Sequence, residues 1–259
     1  MEELQALFNK YNGKLTLEQI SKGICSCIEN ALNIFADAYI LKKAKRFPRA
    51  SSLFLTAMQE AGKVNILKNM LTISPENQKR WKKEWQNFRR HEIKDSLGQS
   101  VEISSEFNNS PGEAFWQQLL YAKYLAPARE KIRQLGFYVD YAADDKKWWS
   151  PNEITEEMVG TIESEVVKIL FRLKKEEELG LFSIKALKIS QEEFKDFCPK
   201  IDFNKEYEIN DFGSRFFGVK GPYRKYWSRI INEGVINEIP DGFTIAGECW
   251  EKFILNEKS

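Results

Sequence analysis

The segment Ala57–Lys94 (AMQEAGKVNILKNMLTISPENQKRWKKEWQNFRRHEIK) decides the fold, because it predicts two helices joined by a turn, with charge on a face that should be buried. The first helix carries MQEAGK at Met58–Lys63, and the second ends in WQNFRRHEIK at Trp85–Lys94. The second helix contains His91, the only histidine in the chain. Any chemistry that needs an imidazole must therefore use His91.

Glu60 interrupts the apolar face of the first helix. This helix is expected to begin near Phe47, with a proline in its first turn, and to extend to about Met70. Burial of a carboxylate is costly unless the group is paired or hydrogen-bonded, so Glu60 needs a partner. Lys63 lies one turn further along the helix. The apolar face consists of Leu53, Ala57, Val64 and Leu67.

His91 lies beside the apolar stripe of the second helix, and Lys94 follows one turn later. We expect this helix to begin at Ser74, which a first-turn proline follows. A polar loop rich in Ser and Asn is predicted at Gly98–Asn109. A lone histidine near an apolar face is more often structural than catalytic. The stripe consists of Trp81, Trp85 and Phe88.

Composition is that of an ordinary globular domain and leaves the function to local features. The chain has 259 residues, of which 42% are hydrophobic and 30% charged. A net charge of +1 gives no overall field towards nucleic acid or a membrane, so such binding would need a local patch. We expect a cytoplasmic protein with no membrane partner, since no signal peptide and no apolar run of membrane-spanning length is apparent.

The four cysteines predict neither disulfides nor a metal site. Cys25 and Cys27 lie in a helical pattern, where this spacing points side chains to nearly opposite sides. The chain also lacks a CxxC motif and a second histidine. We therefore expect reduced, buried thiols and no metal or cofactor.

Further helices are expected on both sides of the hairpin. A short amphipathic helix is predicted at residues 2–10, and a long one from the Thr16 capping box to about Lys43. Asn30 and Asp37 lie at the flank of the apolar stripe of the long helix, where either could be solvated or face the hairpin.

Two long helices follow the hairpin. The first is expected from a cap at Ser110 to Leu135, with Gly136 as its stop and a kink at Pro127. A short extended segment and a turn lead to the second, at roughly Thr155–Leu179. The chain up to this point predicts a helical bundle with few strands.

Residues 181–259 predict a small α+β appendage to a helical domain at 1–180. A short helix is expected from Ser190, a second at 222–232 and a β-hairpin at 235–246. This order looks similar to the end of a winged-helix module, whose helix would face nucleic acid. Alternatively, the aromatic side of that helix packs against the bundle. In the first interpretation, phosphates contact Arg224, Lys225 and Arg229.

An ordered set of short motifs resembles the AbiV family of bacterial abortive-infection proteins, a branch of the HEPN-like helical-bundle superfamily. The resemblance covers roughly residues 15–180. The motifs are Asn30-Ala31, Asp37-Ala38, Arg46-Phe47, Arg49-Ala50, Glu60–Lys63 (EAGK), Phe88–Lys94 (FRRHEIK) and Gly136–Asp140 (GFYVD).

The resemblance implies a mainly α fold, a HEPN-like bundle of about five long helices. It also implies antiphage defence by abortive infection, triggered by a phage component and blocking translation, with RNA as one route to that block. Family analogy further implies a homodimer, a phage-encoded activator protein, and contact with RNA or the translation machinery.

The residues depart from the usual ribonuclease signature of HEPN relatives, in which an arginine precedes the histidine by four to six intervening residues. Glu84, Trp85 and Gln86 occupy those positions before His91. A metal-independent site of another kind could still use His91 as acid or base, with Lys63 or Lys94 neutralising phosphate charge.

Two acidic residues complete this candidate site. Glu60 and Asp37 could orient the histidine or carry the second proton. The alternative is that Glu60 pairs with Lys63, His91 or Lys94 only to fix the packing of the hairpin.

Three hypotheses follow. The protein is an abortive-infection effector, a ribonuclease that uses His91, or a non-catalytic helical interaction protein with a structural polar core. Whether it is an enzyme stays open at this point.

Overall fold

A computed structural model describes residues 11–106, 113–142, 146–195 and 222–236. Within these ranges, the side chains of 100–106, 113–120, 142, 222–224 and 227 are not described. The described part is mainly α-helical, as the sequence predicts. Its helices are α1 (Leu17–Lys43), α2 (Phe47–Met70), α3 (Gln78–Arg89), α4 (His91–Glu106), α5 (Glu113–Leu135), α6 (Glu156–Glu178), α7 (Ile184–Phe194) and α8 (Pro222–Asn232).

The predicted capping box opens α1. Thr16 accepts a hydrogen bond from the Gln19 amide, and the Gln19 side chain accepts one from the Thr16 amide. The buried side of α1 packs on α2 in the main hydrophobic core. That side consists of Ile20, Ile24, Cys27, Ile28, Ala31, Phe35 and Ala38.

By length and mean hydropathy (1.3), α1 could span a membrane, alone among the described helices. No such segment was expected from the sequence. A core helix of a bundle has a similar composition, and α1 forms part of the core here. The cytoplasmic location stays a prediction.

Helices α2 and α4 touch through their backbones at two glycines. A Cβ atom on Gly62 would lie 1.8 Å from the carbonyl oxygen of Lys94, and one on Gly98 would lie 2.5 Å from that of Met58. Only glycine permits this approach. The GK of the MQEAGK motif therefore brings the start of α4 directly onto α2.

The structure corrects the prediction after the first helix of the hairpin. The N-cap of α3 is Asn77, whose side chain accepts from the Arg80 amide at 3.0 Å, and not Ser74, whose hydroxyl donates to Glu76. The backbone of Arg90 is extended (φ −91°, ψ 122°), so a new helix begins at His91.

The predicted loop at Gly98–Asn109 is wrong up to Glu106, because α4 continues to that residue. Tertiary contacts outweigh its polar composition. Gly98 packs on α2, and the side chain of Gln99 donates to Glu165 of α6 at 3.0 Å.

Helix α5 ends at Leu135 as expected and contains Pro127, where the kink stays a prediction. Gly136 does not adopt a left-handed φ; it is needed because a Cβ atom there would lie 1.9 Å from Ser52 Oγ. The chain then forms a two-stranded antiparallel hairpin, with β1 at Asp140–Ala142 and β2 at Lys147–Trp149. Thr155 caps α6, so this helix begins and ends within one residue of the predicted bounds.

The helix predicted from Ser190 begins earlier, because Ser183 is the N-cap of α7 and accepts from the Ala186 amide at 3.3 Å. Phe182 and Leu187 join the main core, so α7 packs on the bundle. Helix α8 packs on α7 through a small second core. The helix predicted at 2–10 and residues 237–246 of the predicted C-terminal hairpin lie outside the described residues. The boundary at 180/181 stays a prediction.

Candidate functional site

The crossing of α2, α4 and α5 gathers most of the predicted site residues into one polar cluster. Helix α2 contributes its inner face, α4 its first turn and α5 its last turns. We call this the His91 cluster. Its members are Asn30, Gln59, Glu60, Lys63, His91, Lys94, Glu130 and Arg133.

Glu60 has the partner that its position requires. Lys63 Nζ lies 2.5 Å from Glu60 Oε1, and Asn30 Nδ2 donates to Glu60 Oε2 at 3.0 Å. The Lys63 ammonium also lies over the ring of Phe88, 5.1 Å from its centroid. Glu60 and Lys63 are therefore tied to α1 and α3 as well as to each other.

His91 is bound to α2 through a glutamine. Its Nδ1 lies 2.7 Å from Gln59 Oε1, and Gln59 Nε2 donates to Glu130 Oε2 at 3.0 Å. Arg133 in turn holds Glu130 with two hydrogen bonds of 2.8 Å. A continuous chain of polar contacts thus joins the imidazole to the end of α5.

Lys94 is the unbalanced charge of the cluster. It is only 7% exposed and forms no salt bridge with any described residue. Burial, followed by the charge of Lys63, lowers the pKa of Lys94. Glu60 and Glu130 oppose this effect.

The cluster also acts on the ionisation of His91. Burial, and next the charge of Lys94, lower the pKa of His91 below its usual 6.5, so the imidazole is mainly neutral at pH 7. Hydrogen bonds from Arg133, Gln59 and Gln134 outweigh the opposing effect of burial and lower the pKa of Glu130 to about 2. Glu130 is therefore a carboxylate at any physiological pH.

We expect the NMR titration of His91 to have its midpoint below pH 6.5. Glu130→Gln should lower this midpoint further, because the carboxylate favours the imidazolium. Lys94→Gln should raise it, because a like charge is removed. The chain has one histidine, so its imidazole signals are unambiguous. Shifts of opposite sign to these would show that the charges do not face His91.

Cys27 lies against the same charges but is not a nucleophile. Burial raises the pKa of its thiol to about 11, so it stays protonated at neutral pH. No group of three or more His, Cys, Asp or Glu residues suited to a metal ion occurs among the described residues. The expectation of no metal and no cofactor stays a prediction.

The structure does not bring Asp37 into the cluster. Asp37 is exposed on α1, and no hydrogen bond or salt bridge joins it to the cluster. Asn30, two helical turns earlier on α1, contacts Glu60 instead.

The three basic residues considered on α8 fall into different environments. Arg229 is bound by Glu192 and Glu193 of α7 and by Glu233, with distances of 2.8 to 3.0 Å. These carboxylates raise the pKa of Arg229 and neutralise its charge locally. Lys225 is exposed, and the side chain of Arg224 lies outside the described ones.

We therefore expect Arg229→Met to loosen α8 from α7 rather than to weaken nucleic-acid binding. Hydrogen exchange at the Ile230 and Ile236 amides should accelerate, because both residues sit in the small core that the ion pairs close. Lys225→Met is the matched control and should leave exchange unchanged. Equal exchange in the two variants would contradict a structural role for Arg229.

Sequence reasoning missed Gln59, Glu130 and Arg133. Gln59 directly precedes Glu60 in the sequence. Glu60 was noticed because it falls on the predicted apolar face of its helix, and Gln59 does not fall on that face. Glu130 and Arg133 lie one turn apart near the end of α5, and only the tertiary fold shows that they face His91. Arg133 supplies from another helix a guanidinium near the histidine, although the local arginine-to-histidine spacing is absent.

The described residues form a helical bundle with a polar cluster between its helices. A family model described as AbiV, within the HEPN class, matches residues 19–168, more than half of the chain. The chain therefore belongs to the AbiV family, and all members of the His91 cluster lie within the matched range. Searches of curated proteins and of solved structures found no match. Family membership indicates a role in abortive infection.

Proposed function

We propose that this protein is an antiphage abortive-infection effector that is triggered by a phage component, acts on RNA at the His91 cluster and thereby blocks translation. Membership of the AbiV family supports the defence role. The single observation that supports RNA as the target is the position of Lys94, a buried cation without a counter-ion among the described residues.

A phosphate is the natural ligand for this arrangement. Burial of an unpaired ammonium is unfavourable, and an incoming anion would supply the missing charge. Lys63 lies close enough to lower the pKa of Lys94, so an anion bound beside Lys94 would also be attracted by Lys63. Arg133 also lies near His91, but its charge is balanced by Glu130.

His91 is placed to take a proton in that setting. It is the first residue of α4 and is exposed, whereas Gln59, Lys94 and Glu130 of the cluster are buried. As a neutral imidazole it would accept the proton of a ribose 2′-hydroxyl. The 2′-oxygen would attack phosphorus, the bond to the 5′-oxygen would break, and that oxygen would take up a proton from water. The products are a 2′,3′-cyclic phosphate and a 5′-hydroxyl end.

Exposed aromatic rings in the β1–β2 hairpin and just before it are compatible with RNA binding. Tyr138 is 68% exposed and follows the last turn of α5 by three residues. Tyr141 and Trp148 of the hairpin are also exposed and contact each other edge to face. Unpaired bases stack on such rings, whatever their sequence.

We expect His91→Gln and Lys94→Met to reduce phage protection by about two orders of magnitude or more, the scale of lost acid–base or electrostatic catalysis. The measurement is efficiency of plating on a phage that the wild-type protein restricts, with protein abundance and thermal melting checked for each variant. Lys82→Met, at an exposed position of α3, is the control. Full protection by a folded His91→Gln variant would contradict the proposal.

A second function has one specific observation in its favour. Glu60 is fully paired with Lys63 and Asn30, as expected of a polar core that only fixes helix packing in an interaction protein. On that interpretation Glu60→Gln and Lys94→Met would lower stability and protection in proportion. The RNA proposal instead predicts that Lys94→Met loses protection while remaining folded.

The proposal includes partners by family analogy. We expect a homodimer and activation by a phage-encoded protein. Light scattering coupled to size-exclusion chromatography tests the first expectation: the mass should be twice the 30.3 kDa of the chain. A monomeric mass at micromolar concentration would contradict it.

A further inference from the structure

We propose that Gln59, anchored by Glu130, is a positioning residue that holds His91 in the Nδ1–H tautomer and leaves Nε2 as the proton-accepting atom. The tautomer follows from the hydrogen-bond network alone. Its catalytic meaning rests on the proposed function.

The orientation of the Gln59 amide is fixed by Glu130. An ionised carboxylate only accepts hydrogen bonds, so the amide end that meets it must be the NH2 group. The Nε2-to-Oε2 distance of 3.0 Å is that of a made hydrogen bond. Two hydrogen bonds from Arg133 and one from Gln134 keep Glu130 ionised and in place. The reversed amide would put two acceptors against each other.

The amide orientation then decides the imidazole. Gln59 Oε1 can only accept, and it lies 2.7 Å from His91 Nδ1. His91 Nδ1 must therefore carry the hydrogen. A neutral imidazole has one N–H, so the lone pair lies on Nε2. An unconstrained histidine side chain prefers the Nε2–H tautomer, so the Nδ1–H form requires a contact such as the one with Gln59.

The surroundings favour the neutral ring and a rigid amide. Burial comes first among the effects that disfavour the imidazolium, followed by the charges of Lys94, Arg133 and Lys63, whereas Glu130 favours it. Gln59 is 1% exposed, so water does not compete for its amide. His91 is exposed, so Nε2 can meet a substrate.

In many catalytic histidines, a hydrogen bond to one ring nitrogen fixes the orientation and the tautomer of the ring. Gln59 makes such a hydrogen bond to His91. Here the contact is a neutral amide rather than a carboxylate. A direct carboxylate would raise the pKa of the ring and keep it charged, whereas the amide orients it without adding charge. Gln59 thus fixes the orientation of the His91 ring without raising its pKa.

The test is a long-range ¹H–¹⁵N NMR spectrum of the full-length protein with labelled histidine, recorded above the His91 midpoint. We expect Nδ1 to show the protonated shift and Nε2 the unprotonated one. Gln59→Leu should return the ring towards the Nε2–H form. Gln99→Leu is the matched control, since it removes another glutamine–glutamate hydrogen bond, part-buried, in which His91 takes no part.

A wild-type spectrum with hydrogen on Nε2 would overturn the proposal, and this result needs no variant to fold. An unchanged tautomer in a folded Gln59→Leu variant would overturn the role of Gln59. Failure of the proposed function would look different: His91→Gln would keep phage protection while the wild-type tautomer stayed as proposed. RNA cleavage by Gln59→Leu should fall at least tenfold, with kcat affected and KM little changed.

Discussion

Replacing Gly62 by alanine is expected to destabilise the protein by about 3 kcal/mol, as overpacking of a close helix contact does. The added Cβ would lie 1.8 Å from the carbonyl oxygen of Lys94 and 2.9 Å from the amide nitrogen of Gly98. Both are backbone atoms within α4, so no side chain can rotate to relieve the clash. Either α4 moves away from α2 or the crossing is lost.

Gly160→Ala is the matched control for this substitution. Gly160 also lies inside a helix, α6, but a Cβ atom there would have nothing within 4 Å. Alanine at such a position should stabilise the protein by about 0.5–1 kcal/mol. The measurement is the free energy of unfolding from urea denaturation. Equal unfolding midpoints for Gly62→Ala and the wild type would show that the helices do not meet at Gly62.

The Gly62 contact matters for the site as well as for the fold. His91 begins α4, and its distance to Gln59 depends on how closely α4 approaches α2. A Gly62→Ala variant that stays folded should therefore lose the Nδ1–H tautomer of His91. The same glycine thus supports stability and the geometry of the cluster.

Replacing Asp95 by leucine is expected to cost about 3–5 kcal/mol, because it leaves a buried arginine without its partner. Arg129 Nε lies 2.6 Å from Asp95 Oδ1, and the two side chains are 7% and 0% exposed. Arg129 cannot lose its proton in a protein. Asp95 directly follows Lys94, so this pair also fixes α4 against α5.

Arg129→Met should cost less than Asp95→Leu, because the remaining carboxyl group can protonate. Burial already raises the pKa of Asp95 to about 6 against the opposing charge of Arg129. A folded-state pKa above the unfolded value means that the folded state binds more protons, so stability falls as pH rises. The Arg129→Met variant should therefore lose stability between about pH 4 and pH 7.

The double variant separates the contribution of the ion pair to stability from that of side-chain packing. Asp95→Leu with Arg129→Met removes both charges and should recover most of the stability that Asp95→Leu loses, since apolar replacements of buried ion pairs are often neutral. Urea denaturation of all four proteins gives the coupling energy. Additive losses, with the double variant the least stable, would contradict an ion pair that acts as a unit.

The sequence predicted the parts of the fold that depend on local spacing. The capping box at Thr16 and the extent of α1 and α2 follow from helical periodicity. The need of Glu60 for a partner follows from its position on a buried face, and the structure selects Lys63 among the three partners considered. The AbiV resemblance, confirmed by the family match, supplied the bundle and the defence role.

The errors arose where tertiary contacts outweigh local signals. A helix was predicted to begin at Ser190, but Ser183 is the N-cap of α7. The helix begins earlier because Leu187 and Ile189, which precede Ser190, are buried in its packed face. Residues 98–106 look like a polar loop, yet the contact of Gly98 with α2 keeps them helical.

The site was predicted in outline and incompletely. The placing of His91, Lys94, Glu60 and Lys63 in one region followed from the helical hairpin. Glu130 reaches that region from about forty residues further along the chain, which no local pattern reveals. Long-range pairing of this kind depends on the crossing of α2, α4 and α5, which only the folded structure shows.

The most direct test of RNA chemistry at the His91 cluster is sequencing of RNA 5′ ends from phage-infected cells. Cells that carry the wild-type protein and cells that carry folded, equally abundant His91→Gln protein are compared during infection by a phage that the wild type restricts. We predict discrete new 5′-hydroxyl ends with the wild type that disappear with His91→Gln. The same ends in both samples, or restriction by the wild type with no new ends, would contradict RNA cleavage at the His91 cluster.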